Sequence, residues 1–158
     1  MTLNRPMYIW PAALLVMVFS SVNADAGGTV EKISEAALDE LIYTDKNKIV
    51  VTFMAAWCGP CIDELPALNK LHHKYKGRGF KLIGVSIDYE GPQAMQPIID
   101  KLKVDFPVYW FGETAIQKYS IYAIPMIMWV KNGRIVEKQP GRRSQKELDK
   151  KIRRFLGL

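Results

Sequence analysis

One junction narrows the folds open to this chain more than any other feature. KIVVTFM, Lys48 to Met54, is rich in β-branched residues with almost no polar break, as expected of a short strand covered on both faces. Two alanines later the chain reads WCGPC, Trp57 to Cys61, and beyond it Leu65, Leu68, Leu71 and Tyr75 fall on one helical stripe that Gly77 and Gly79 close. The only two cysteines of the 158 residues, Cys58 and Cys61, therefore sit where a buried strand becomes a helix.

The surrounding sequence supplies elements to pack against that junction. Ser34 precedes EAALDELIY, where Ala37, Leu38, Leu41 and Ile42 recur at helical spacing behind a good cap. FKLIGVSID, Phe80 to Asp88, reads as a second buried strand, and AMQPIIDKLK after it is helix-like despite Pro97. FPVYWF, Phe106 to Phe111, predicts another strand, TAIQKYSIY a short helical stretch, and MIMWV joined by Asn132-Gly133 to RIVEKQ a hairpin. Ser144 and Glu147 are spaced as a capping box for a last helix with Leu148, Ile152, Phe155 and Leu156 on its apolar stripe. The bases Lys146, Lys150, Lys151, Arg153 and Arg154 read as its solvated face. Strands alternating with helices, then a closing hairpin, predict one α/β domain with a mixed sheet, and there is no repeat, low-complexity tract or linker.

The first 26 residues are set apart from this pattern. One base, Arg5, precedes an apolar stretch from Met7 to Phe19, and the small residues after it include Ala24-Asp25-Ala26, with Val22-Asn23-Ala24 an alternative small-x-small site. This is the layout of a signal peptide. A membrane anchor needs about 20 apolar residues, and Pro6 and Pro11 interrupt this shorter run. No cysteine stands near the cleavage region to carry a lipid. We expect residues 1–26 to be a signal peptide, residues 27–158 the folded domain, and the mature protein to be periplasmic or otherwise extracytoplasmic. The net charge of +6 is spread along the chain without an aromatic-rich basic motif, so no nucleic-acid partner is expected.

Three roles compete for the cysteine pair. A structural staple gains most from closing a long loop, and this loop is nearly the shortest available. A closed zinc site needs about four ligands, and the chain offers only Cys58, Cys61, His72 and His73, the adjacent histidines diverging on a helix three turns beyond Cys58. A redox centre suits the position: the partial positive charge at a helix start stabilises a thiolate, which favours Cys58 as nucleophile and Cys61, one turn inward, as the resolving thiol. Gly59 permits close backbone approach, and Pro60 removes a donor that the first helical turn does not use.

Strand, WCGPC, then helix resembles the thioredoxin superfamily, over about Ile33 to Phe155. Ala123-Ile124-Pro125 before the hairpin resembles that family's cis-proline loop. WCGPCIDELP fits the pattern WCxPCxxExP of exported TlpA-like and ResA-like thioredoxins, including those serving cytochrome c maturation. The segment near residues 89–112 resembles the β/α insertion of that branch. The resemblance implies a thioredoxin fold with a mixed central sheet flanked by helices. It also implies Cys58 and Cys61 as the catalytic pair, Glu64 managing the proton of Cys61, and Trp57, Pro60, Ile124 and Pro125 bordering the substrate. Two departures stand out: Thr52 occupies the place of a buried aspartate, and Met126 follows Pro125 where threonine is usual.

The expected activity is that of an exported thiol-disulfide oxidoreductase, in which the Gly-Pro dipeptide, as in reducing thioredoxins, implies reduction of protein disulfides. Its partners would be protein disulfide substrates and a membrane thiol-disulfide electron donor, since the space outside the bacterial cytoplasm is kept oxidising. No cofactor, no resident metal and a monomer are expected. The alternatives are a disulfide-forming oxidase of the same fold and a soft-metal carrier binding copper through the CxxC thiolates.

Overall fold

The structure is a computed structural model and describes residues 28–46 and 48–158. The expected signal peptide lies outside the described residues. Eleven elements follow in chain order: β1 Glu31–Lys32, α1 Glu35–Tyr43, β2 Lys48–Met54, α2 Gly59–Tyr75, β3 Phe80–Ser86, α3 Pro92–Leu102, β4 Val108–Trp110, α4 Thr114–Lys118, β5 Met126–Lys131, β6 Arg134–Pro140 and α5 Gln145–Leu156.

The six strands form one mixed sheet in the order β1-β4-β3-β2-β5-β6. β1, β4, β3 and β2 run parallel, whereas β5 and β6 are antiparallel to their neighbours. The run that reads as a strand covered on both faces is the inner strand β2, buried from Ile49 to Met54. Burying each of its large apolar side chains stabilises the fold by about 1.5–3 kcal/mol. β3 and β5 continue that core with Leu82, Val85, Ile127 and Trp129. No helix among the described residues is long and apolar enough to cross a membrane.

Local chemistry fixes the ends of several elements. The Ser34 hydroxyl accepts from the Ala37 N–H at 3.2 Å to start α1. Ser144 and Glu147 form the full capping box of α5, the Ser144 N–H donating to Glu147 Oε2 at 2.8 Å. The hairpin between β5 and β6 turns through Asn132 and Gly133 at φ 53° and 68°, the double left-handed pair of a tight two-residue turn. Pro66 and Pro97 lie inside α2 and α3 on exposed positions, where water can reach the carbonyl each leaves unpaired.

The segment near 89–112 contributes α3 and β4, and β4 pairs on one side with β3 and on the other with β1. β1 is not expected from the sequence. Its two residues are too short to show a period, and it exists because β4 offers it a parallel edge at Tyr109 and Trp110. Trp110 also accepts at its carbonyl from the Ile33 N–H, at 3.1 Å.

Candidate active site

The register of the sheet gathers the site at one end. β2 and β3 are parallel, so both finish there, at Met54 and Ser86, while antiparallel β5 begins there, with Met126 paired to Phe53. The turn after β2, the loop after β3 and the segment ending in Pro125 must therefore meet.

The turn after β2 is held by the Cys58 N–H, which donates to the Ala55 carbonyl at 3.1 Å. Cys58 is the N-cap of α2. Its carbonyl accepts from the N–H groups of Cys61 and Ile62, at 3.0 and 3.1 Å, and its sulfur lies 3.3 Å from the Cys61 nitrogen. Pro60 stands in the first helical turn, where its missing N–H leaves no bond unmade. Cys58 and Cys61 are joined by a disulfide with Cα atoms 5.3 Å apart. Both are recessed, Cys58 at 6% exposure and Cys61 at 2%, whereas Trp57 is 63% exposed. Once reduced, the Cys58 sulfur faces the donors and positive end of a helix, an arrangement that favours its thiolate.

The Ile124–Pro125 peptide bond is cis, Pro125 is buried and Ile124 half-buried. The Pro125 carbonyl accepts from the Gly141 N–H at 2.8 Å, so the strap after β6 holds this loop in place. Met126, the departure after the proline, is 1% exposed and packs into the core as the first residue of β5.

Glu64 follows on the next turn of α2 and is buried. Its Oε1 accepts from the backbone N–H of Arg143 at 2.7 Å, while Oε2 is buried without a partner. Burial pushes its carboxyl up to about 7, against the opposing pull of the Arg143 N–H and of the Arg143 and Arg142 charges. Such a group can gain or lose a proton at neutral pH. One strap, Gly141 to Arg143, thus bonds both the Pro125 loop and the Glu64 carboxyl.

A second buried carboxylate, Asp88, is not anticipated as a site residue. Both its oxygens accept from the Ala56 N–H, and Oδ2 also accepts from the Ser86 hydroxyl at 2.7 Å. Its own carbonyl accepts from the Trp110 indole N–H at 2.6 Å. Among the described residues Glu64 and Asp88 are the only buried carboxylates, and Thr52 places an uncharged buried group in the middle of β2. The signal for Asp88 is an acid closing an otherwise apolar strand run, which reads equally well as the start of a loop.

His72 and His73 lie further along α2. His73 pairs with Asp105 at 2.9 Å, and burial holds the His72 imidazole below its ordinary pKa. No group of three or more His, Cys, Asp or Glu among the described residues is arranged to hold a metal ion.

Comparison with known proteins bears on this geometry. The model of the AhpC/TSA family matches residues 23–138. The chain is 30% identical over 158 residues to the thiol-disulfide oxidoreductase ResA of Oceanobacillus iheyensis, covering 85% of this chain and 81% of that protein. It is 31% identical over 103 residues to the ResA of Bacillus cereus, covering 64% of this chain and 59% of that relative, less than two thirds of its length. A solved structure of a putative thiol:disulfide interchange protein DsbE from Chlorobium tepidum has a TM-score of 0.66 and 21% identity, covering 84% of this chain and 98% of that one. That likeness shows that the thioredoxin-like fold is shared.

Proposed function

The chain belongs to the AhpC/TSA family, and from that premise we propose that it is an exported thiol-disulfide oxidoreductase that reduces disulfides in other proteins. The observation that carries this is the Cys58–Cys61 disulfide at the start of α2, with Cys58 as the N-cap and its sulfur at the helix donors.

In the reduced enzyme the Cys58 thiolate attacks one sulfur of a substrate disulfide, forming a mixed disulfide and expelling the other substrate sulfur as a thiolate. Cys61, having passed its proton to Glu64, then attacks the Cys58 sulfur. This closes the internal disulfide and releases the second substrate thiolate. Two electrons pass to the substrate and the enzyme leaves oxidised. Trp57, Pro60, Ile124 and Pro125 border the place where the substrate lies. The buried, near-neutral carboxyl of Glu64 supports its part as proton acceptor.

A thiol-donating partner in the membrane restores the dithiol from the cytoplasmic side, because the compartment outside is oxidising. Residues 1–26 serve as the signal peptide, and residues 27–158 form the working domain. The match of WCGPCIDELP to the exported branch makes cytochrome c maturation the process to test first. Gly59-Pro60 is the feature that favours reduction over oxidation.

The direction is tested by equilibrating the pair against a glutathione or dithiothreitol couple. A reduction potential near thioredoxin's, about −270 mV, supports the reductase, and a value near about −120 mV reverses the direction while leaving the chemistry.

A further inference from the structure

The three most exposed large hydrophobic residues among the described residues are Tyr122, Tyr89 and Trp57, at 73%, 70% and 63%. They lie on three separate loops, yet all at one end of the sheet. Trp57 follows the end of β2, Tyr89 follows the end of β3, and Tyr122 stands four residues before the start of β5, which is antiparallel to both. This is the end that carries the disulfide. Tyr89 is tied closer still: its neighbour Asp88 holds the N–H of Ala56, the residue before Trp57. The neighbouring Glu113 carboxylate holds the Tyr89 hydroxyl above its ordinary pKa. Neither Trp57 nor Tyr122 has a side-chain hydrogen bond or a ring contact among the described residues.

The contrast with the sulfurs gives these rings a use. Cys58 is 6% exposed and Cys61 2%, so a partner sulfur that reaches Cys58 must dock closely against the end of the sheet from which the three rings project. Whatever flanks the partner cysteine then lies against them. The rings carry no charge, and a charged or strongly polar flank would lose hydration there without gaining a partner, whereas apolar and aromatic flanks gain contact area and ring packing. In an extended segment, the residues two before and two after a cysteine project on the same side as the cysteine itself.

We propose that Trp57, Tyr89 and Tyr122 form an aromatic rim that selects its substrate class: extended protein segments whose disulfide-bonded cysteine has large apolar side chains two residues to either side. The proposal rests on the disulfide exchange put forward above and adds the partner's sequence chemistry to it. Tyr89 and Tyr122 are recognition residues with no part in the bond exchange.

The test uses the full mature protein in its reduced state and peptides with one cysteine joined by a disulfide to a chromogenic thiol. The peptides differ only at the two flanking positions, carrying Phe, Ser or Glu. The rim predicts a kcat/KM for the Phe peptide about tenfold or more above that for the Ser peptide, with the Glu peptide lowest. In the double variant Tyr89→Ser, Tyr122→Ser the Phe-to-Ser ratio falls toward one, whereas Tyr89→Phe, Tyr122→Phe keeps it, since the rings and not the hydroxyls do the selecting. Equal rates for all three peptides in the wild type overturn the proposal, as does a preference that survives the serine variant. A wild-type dimer in sedimentation that the serine variant dissolves assigns the rings to a second copy and also overturns it. A wild type that reduces none of the peptides, nor a small disulfide, brings down the exchange reading itself, a result distinct from activity without preference.

Discussion

The Ala56 N–H points between the two oxygens of the Asp88 carboxylate, at 2.9 and 3.1 Å. A fully buried residue in the loop after β3 thereby fixes the turn two residues before Cys58, and the Ser86 hydroxyl and Trp110 indole complete its bonding. Removing the carboxylate leaves a half-buried N–H and a buried hydroxyl without their partner, a buried unsatisfied group costing about 1–3 kcal/mol. Asp88→Ala should accordingly destabilise the oxidised protein by about 2–4 kcal/mol in urea. Asp88→Asn, which can still accept from Ala56 and donate to Ser86, should lose less than half of that. An unchanged unfolding midpoint for Asp88→Ala would show that the turn does not depend on this contact.

Glu64 gives stability a pH dependence whose sign is opposite to that of an ion-paired acid. Its pKa rises from 4.5 to about 7 on folding, so between those values the folded state holds the proton that the unfolded state has released. The associated stability is fully present below about pH 4.5 and is lost as pH rises through about 7, a total of about 3 kcal/mol. Urea unfolding of wild type and Glu64→Gln from pH 4 to 8 should show this fall in the wild type only. Parallel curves would contradict it.

The same carboxyl should matter to the second chemical step and not the first. With Glu64→Gln, stopped-flow formation of the mixed disulfide at Cys58 should proceed at close to the wild-type rate. Its resolution by Cys61 should slow on the order of 100-fold, a typical loss for a missing proton acceptor. Equal slowing of both steps would point instead to a general disturbance of α2.

Gly133 tests the packing of the closing hairpin. Its φ is 68°, and a Cβ there would collide with the backbone carbonyl of Tyr43 at the end of α1. Gly133→Ala should cost about 2 kcal/mol or more through the left-handed backbone and the clash together, read as a lower thermal midpoint. A midpoint equal to wild type would mean that the hairpin and α1 do not meet as described.

Much of this architecture is legible in the sequence because its signals are local. The β-branched run of β2, the stripe of α2, the Asn132-Gly133 turn and the Ser144–Glu147 box each announce themselves within a few residues, and each is present. What the sequence does not disclose depends on partners far along the chain. β1 has no period of its own and is defined by Trp110 and Tyr109. Asp88 acquires its importance from Ala56, and the burial of Glu64 is completed by an Arg143 backbone N–H 79 residues away. WCGPCIDELP names Glu64 as a proton-handling residue, but only the strap after β6 shows how its carboxyl is held and why its pKa is displaced.

The most direct test of the central claim is covalent capture. Reduced Cys61→Ser protein, exposed to the disulfide-bearing proteins of the compartment it works in, should accumulate mixed disulfides that dithiothreitol dissolves and that peptide mapping places on Cys58. Cys58→Ser should accumulate few or none, because Cys61 is the more deeply buried thiol. Capture through Cys58 is the result this account predicts; no captured protein, or equal capture by the two variants, would contradict it.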